Sequence, residues 1–286
     1  GPAGIRIQRR STITKNGTAK MIDMQFDMMK YLPNFIKKIF CGNEKTDKIY
    51  YQFTTAFPVA NAMAQTWNED LWVEMGNAIG EEMEEYGITF WLAPGVNIHR
   101  NPLCGRNFEY YSEDPILSGL IASAINNGVT SVPGRFVTLK HFAANNQEEH
   151  RNHVSSNVDE RALREIYLKP FEIPVRESQI GAVMSSYNKL NGVYTSNSKD
   201  LLTHVLRNEW KFKGLVMTDW TATAKGQSDP ALCMSAGNDL IMPGSKRDKK
   251  CIKKAVQNGS LSTRDVNRCV ANVLQAIKNS AISIED

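Results

Sequence analysis

Residues Gly214–Ala222 read GLVMTDWTA, and the reading of this stretch decides the fold. Leu215, Val216 and Met217 make an apolar run too short for a helix of its own, so the run reads as a buried strand. Asp219 emerges where that strand ends, beside the indole of Trp220. In a barrel of alternating strands and helices, such strand ends build the active-site face. A lone aspartate at this position also has a plain structural use, as the N-cap of a following helix.

Outward from this stretch, strand and helix alternate. Thr89–Ala93 reads as a strand that breaks at Pro94-Gly95 into a long loop holding GRNFEYYSEDP, Gly105–Pro115. A helix is expected from Ile116 to Gly128, a strand from Phe136 to Lys140 running into His141, and a polar loop from Ala143 to Asn157. Asp159 opens a helix to about Ser178, followed by a strand at Gly181–Ser185 and a helix at Lys199–Trp210. After the Leu215–Thr218 strand come a helix at Pro230–Ala236, an extended Asp239–Met242, and helices at Lys246–Gln257 and Ser262–Lys278. Upstream, Asn68 can cap a helix with Leu71, Met75, Ala78, Ile79 and Met83 on one face and Glu81, Glu82, Glu84 and Glu85 on its solvated side, stopping at Gly87. The region before Lys48 is polar and weakly periodic, and reads as loop, with a helix over Met21–Phe40 interrupted at Pro33.

Repeated strand-then-helix units without tight hairpin signals imply a parallel sheet. Polar residues follow several strands instead of one switch point, which favours a closed barrel over an open doubly wound sheet. The expected fold is therefore α/β, a (β/α)8-type barrel, incomplete or irregular at the N-terminus, with residues 1–286 as a single domain.

The 286 residues are 42% hydrophobic and 22% charged, ordinary for a globular chain, and carry a formal charge of +4. The short basic clusters at Arg9-Arg10 and Lys246–Lys250 form no dense stripe of the kind that binds nucleic acid. Five cysteines, widely spaced and without a CxxC pair, argue against a zinc site and a disulfide framework, and lean towards a reducing, cytoplasmic setting. No apolar run approaches the ~18 residues of a membrane span. Neither GxGxxG nor GxxxxGK is present, so a nucleotide-binding reading lacks its phosphate cradle, and Met242–Ser245 (MPGS) is a poor substitute.

Four strand-end clusters are candidates for one pocket: Arg106–Glu109, Lys140-His141, Ser185–Asn188 and Asp219-Trp220. Arginine brings a fork of donors, lysine a point charge, histidine a donor and an acceptor, and Tyr187 a hydroxyl on an apolar ring. Such a set suits a ring of hydroxyls. Asp219 among these cations is expected to have its pKa held down, ionised and ready as a nucleophile. Trp220 offers a flat apolar face for the C–H side of a sugar. Each residue has a structural alternative: Lys140 as ion-pair partner of Glu109, His141 as a hydrogen-bonded core residue, Tyr187 as a packing aromatic, Arg106 as a clamp on Asp114.

The chain resembles the barrel domain of family 3 glycoside hydrolases, on the β-glucosidase side. GPAGIR resembles that family's DGPxGIR loop without its leading Asp. YQFTTAFPVANAMAQTWN, LAPGVNIHRNPLCGRNFEYYSEDP, TLKHFAANNQEEHR, VMSSYNKLNG and GLVMTDW follow in the family's order and spacing. The resemblance implies a retaining exo-β-glucosidase barrel in which Asp219 is the nucleophile and Arg106, Lys140, His141, Tyr187 and Trp220 bind the glycone, with Met184 and Arg151 as further members. It implies no metal or organic cofactor. Retaining enzymes need a second carboxyl group about 5–5.5 Å from the nucleophile. In the β-glucosidase branch a companion α/β domain supplies it as a Glu, so such a domain or chain is the expected partner, alongside a β-glucoside substrate. KHFAANNQEEH lacks the Asp-His pair of the N-acetylglucosaminidase branch, and Glu148, His150 and His153 of that loop are read as structural or solvated. The competing reading is a catalytically incomplete sugar-binding or assembly module.

Overall fold

The computed structural model describes residues 3–23, 33, 35–36 and 46–280. They fall into two compact units, Gly4–Phe57 on the one hand and the rest of the chain on the other.

The smaller unit is an antiparallel sheet of β1 (Gln8–Ile13), β2 (Ala19–Asp23) and β3 (Lys48–Phe53), with β1 in the middle. Gly17, at φ +76°, closes the turn between β1 and β2, where Gly17 N donates to Thr14 O. This sheet replaces the loop expected here. The expected helix over Met21–Phe40 lies largely outside the described residues, and its first three residues end β2 instead. β1 and β2 are largely polar, and the Tyr50, Tyr51 and Phe53 side chains of β3 are exposed, so the strands show no alternation between a core face and a solvent face.

The larger unit opens with a short helix, α1 (Ala60–Ala64), and then α2 (Glu69–Glu85). Asn68 caps α2 as expected, accepting from Leu71 N at 3.2 Å, and Trp72, Met75, Ile79 and Met83 form its buried stripe. Gly87, at φ +65°, ends it. Next come β4 (Phe90–Trp91) and α3 (Pro115–Thr130), capped by Asp114 through Ile116 N and Leu117 N. Asp114 is thus a helix cap and not the partner of Arg106.

Beyond α3 the alternation continues with β5 (Phe136–Phe142), the two-residue β6 (Ser155–Ser156) and a helical run from Glu160 that winds wide at Leu163–Tyr167 and becomes α4 (Lys169–Glu177). After β7 (Ala182–Ser185), the short β8 (Lys189–Leu190) and β9 (Val193–Tyr194) make a side hairpin. A wide-wound helix, Asp200–Glu209, leads to β10 (Leu215–Thr218). Helices α5 (Pro230–Ala236), α6 (Lys246–Gln257) and α7 (Thr263–Asn279) complete the unit.

The sheet order is β4-β5-β7-β10, every pair parallel. Leu240 extends it through a parallel bridge to Met217. The sheet is an arc of an irregular (β/α)8-type barrel that does not close among the described residues. Leu215 and Met217 face Ala182 and Met184 in register, and these four pack with Phe90, Leu92, Met242 and the α7 residues Val273 and Ala276. Asp239, just before Leu240, is buried and binds Arg207 (2.6 Å), Val216 N (2.8 Å) and Asn272 (2.8 Å), which satisfies a carboxylate that burial would otherwise penalise.

Helices α2 and α3 touch through glycines. A Cβ on Gly128 would lie 2.1 Å from Val73 O, and one on Gly76 2.4 Å from Ile125 O. Gly128→Ala should therefore force the helices apart and lower stability by about 1–3 kcal/mol despite the better helix propensity of alanine, read as a shift in the urea midpoint.

Candidate active site

The site is built at the C-terminal ends of β5, β7 and β10 and on the loop after β4. Asp219 follows Thr218 directly, 7% exposed. No helix begins there: Thr221 sits at φ +62°, and the next helix, α5, is capped by Asp229. The cap reading of Asp219 is thereby removed. Its Oδ1 accepts from Trp220 N at 2.6 Å, while Oδ2 accepts no hydrogen bond from any described residue.

Opposite it, β5 delivers Lys140 and His141 as buried neighbours, joined by a cis peptide bond. Glu109, 4% exposed on a short helical turn Asn107–Glu109, is the hub of the cations. Its Oε1 pairs with Arg106 Nε and its Oε2 lies 3.2 Å from Lys140 Nζ. Burial alone would raise the Glu109 pKa, but Lys140 and Arg106 outweigh it and hold the carboxyl below its usual range. Lys140 is pushed down by burial, with Glu109 and Asp219 pulling the other way and Arg106 adding to the fall.

The His141 ring is held at both nitrogens. Arg106 Nη2 lies 2.7 Å from Nε2, and since a guanidinium only donates, Nε2 accepts and the proton sits on Nδ1, 3.2 Å from Tyr110 Oη. Burial, Arg106 and Lys140 push the His141 pKa well below its ordinary value, so the imidazole is neutral. Its 3.6 Å approach to Asp219 Oδ2 is accordingly neither an ion pair nor a hydrogen bond. The Asp219 carboxyl then has cations near it but is raised, not lowered: burial outweighs the Trp220 N–H, Arg106, Lys140 and Tyr187. This corrects the expectation of a depressed pKa. Arg106 and Lys140 do pull it down, but by less than burial pushes it up.

Tyr187, after β7, donates from its hydroxyl to Trp220 O at 2.7 Å, and Arg151 lies 4.7 Å from the centre of its ring. Trp220 presents its ring to solvent at 54% exposure. Arg151 is also tied to Glu148 Oε2 at 2.5 Å, and Glu148 Oε1 comes within 3.9 Å of Arg106 Nε, so Glu148 bridges the two arginines. Met184 stands apart from this polar set, in the apolar cluster with Ala182, Leu215 and Met217. Asn97 and Tyr110 were not singled out in the sequence; both are buried and touch His141. Their signal is weak, a polar residue after a strand and one tyrosine among several. Among the described residues no group of three or more His, Cys, Asp or Glu could hold a metal ion. Four of the cysteines are described, all free, and Cys41 lies outside.

Comparison with known proteins places this geometry. β-Glucosidase 3B from Thermotoga neapolitana, solved in complex with glucose, superposes with a TM-score of 0.75 at 50% identity over 83% of this chain and 33% of that one. Thermostable beta-glucosidase B of Acetivibrio thermocellus is 47% identical over 225 residues, 78% of this chain and 29% of the relative. The exo-alpha-(1->6)-L-arabinopyranosidase of Bifidobacterium breve is 42% identical over 234 residues, 81% and 30% respectively. The chain thus spans under a third of the length of these relatives. With residues 14–276 matching the glycosyl hydrolase family 3 N-terminal domain, the chain belongs to glycosyl hydrolase family 3.

Proposed function

We propose that this chain is the nucleophile-bearing barrel of a retaining, exo-acting β-glucosidase, completed by an acid/base carboxyl from another domain or chain. The observation that carries the reading is Asp219 itself: a buried carboxylate at a strand end, anchored through Oδ1, with Oδ2 left unengaged beside Arg106, Lys140 and His141. Oδ2 attacks the anomeric carbon as the leaving oxygen takes a proton, and a glycosyl ester forms. Water, deprotonated by the same acid/base group, then releases the sugar with its configuration retained.

Arg106 and Lys140 donate to glycone hydroxyls, His141 fixes Arg106, and Arg151 steadies Tyr187. Trp220 receives the C–H face of the ring. Met184 adds only apolar surface. Contacts that tighten as the ring flattens are the ones that raise the rate. A glucose-type glycone is supported by the relatives named β-glucosidase, and the arabinopyranosidase marks a pyranose without the exocyclic carbon as the sugar to compare.

The second reading, a sugar-binding or assembly module, draws on the carboxylates beside the cations. Glu109, held below its usual range by Lys140 and Arg106, is not prepared to donate a proton, and Glu148 is engaged by Arg151. A 2-fluoro-β-glucoside with a leaving group that needs no proton separates the two readings by intact mass. One adduct on the Asp219 peptide is expected, and none after Asp219→Ala; sugar binding without any adduct would favour the module.

The raised Asp219 pKa has two further outcomes. Only the ionised carboxylate attacks, so the rate of adduct formation should fall off in acid at a pH above the ordinary aspartate value of 3.8. The folded protein also holds this proton more tightly than the unfolded chain does, so ionised Asp219 costs stability above its folded pKa and costs none below 3.8. Asp219→Asn should consequently melt higher than wild type at pH 7, with the gap closing as the pH falls towards 3.8.

A further inference from the structure

The backbone ladder between β5 and the chain after β4 ends one residue short of His141. Thr138 N donates to Ala93 O at 2.9 Å, Lys140 N to Pro94 O at 3.1 Å, and Val96 N to Lys140 O at 2.8 Å. At the next residue no peptide group takes over. The amide of Asn97 does: its Oδ1 accepts from His141 N at 2.8 Å and its Nδ2 donates to His141 O at 2.9 Å. A carboxamide has the donor and acceptor of a peptide group in the same plane, so this side chain supplies the missing rung. Asn97 is 2% exposed and His141 1%, and water has no access to replace either bond.

We infer that Asn97 is the positioning residue of this site, a side-chain rung that sets where the Lys140-His141 backbone lies and hence where His141 meets Arg106, Tyr110 and Asp219. The inference rests on the glycosidase reading for its consequence in catalysis but not for its geometry. Both His141 N and His141 O meet this amide, and the ring is held by Arg106 and Tyr110. The position of the imidazole thus rests on the Asn97 amide at the main chain and on Arg106 with Tyr110 at the ring, while Phe142 beyond it pairs with Ser185 of β7. Arg106 is in turn held by Glu109, which also holds Lys140. Releasing Asn97 therefore displaces a connected set, and its effect falls on the geometry of attack.

The test uses the whole chain with two substitutions, read by inactivation with the 2-fluoro-β-glucoside and by the 15N spectrum of its five histidines. Asn97→Ala should slow adduct formation by about 100-fold, the scale expected of an ångström-size misplacement. Its His141 signals should change from one fixed neutral tautomer to an average of two. Asn97→Asp keeps the acceptor for His141 N but turns a carboxylate oxygen on His141 O; protonation restores a donor there. Its inactivation rate relative to wild type should thus rise as the pH falls. Adduct formation by Asn97→Ala at the wild-type rate, or an unchanged His141 tautomer, overturns the inference. Should Asn97→Ala fail to fold, a pH-independent ratio for Asn97→Asp overturns it instead. If wild type itself forms no adduct, the glycosidase reading fails, and the His141 spectrum still decides the role of Asn97.

Discussion

The site depends on one interaction, the sharing of Glu109 between Arg106 and Lys140. Two cations brought within a few ångströms of each other inside a protein repel and lose hydration, and burial of that kind is tolerated only when each charge finds a partner. Glu109 supplies both partners from a single buried carboxylate, one oxygen to each cation. Everything else follows from that allocation. Arg106 is left with a free edge that locks the tautomer of His141, and Lys140 stays at the mouth of β5. The pKa of Asp219 is raised by its own burial, which outweighs the Trp220 N–H and the lowering pull of Arg106 and Lys140.

That outcome bears on the chemistry. A nucleophile fully neutralised by an ion pair would be stable and sluggish. On the reading of Asp219 as the nucleophile, a carboxylate that is desolvated, tethered through Oδ1 and unpaired at Oδ2 would be held ready at some cost in stability, the usual trade between function and stability at such sites. The remaining groups hold position around it. Tyr187 ties β7 to the main chain at Trp220, and Arg151 lies against the Tyr187 ring while binding Glu148, whose other oxygen faces Arg106. The loops after β4, β5, β7 and β10 are thereby joined by side chains as well as by the sheet.

Much of the frame was legible because local rules and tertiary demands coincide. Asn68 caps α2 and Asp159 caps the helical run that begins at Glu160, as expected, and Leu215–Thr218 is the strand that its apolar run implies. The antiparallel sheet of Gly4–Phe57 was not legible, since its strands lack the alternation of buried and exposed side chains that marks one. Within the site, residue types announced Arg106, Lys140, His141, Tyr187, Asp219 and Trp220. Asn97 and Tyr110 stayed hidden because their work is done on other residues' backbone and ring atoms.

The sequence by itself determined the order of strands and helices, the family, and the set of side chains delivered to strand ends, because periodicity, capping and motif spacing act over a few residues. Only the tertiary structure decided how charge is divided among them. Which carboxylate neutralises which cation depends on distances between residues far apart in the chain, such as Glu109 and Lys140, and on burial that no local pattern measures. The sign of the Asp219 shift is the clearest case. Counting nearby cations from the sequence points down, while burial turns it up.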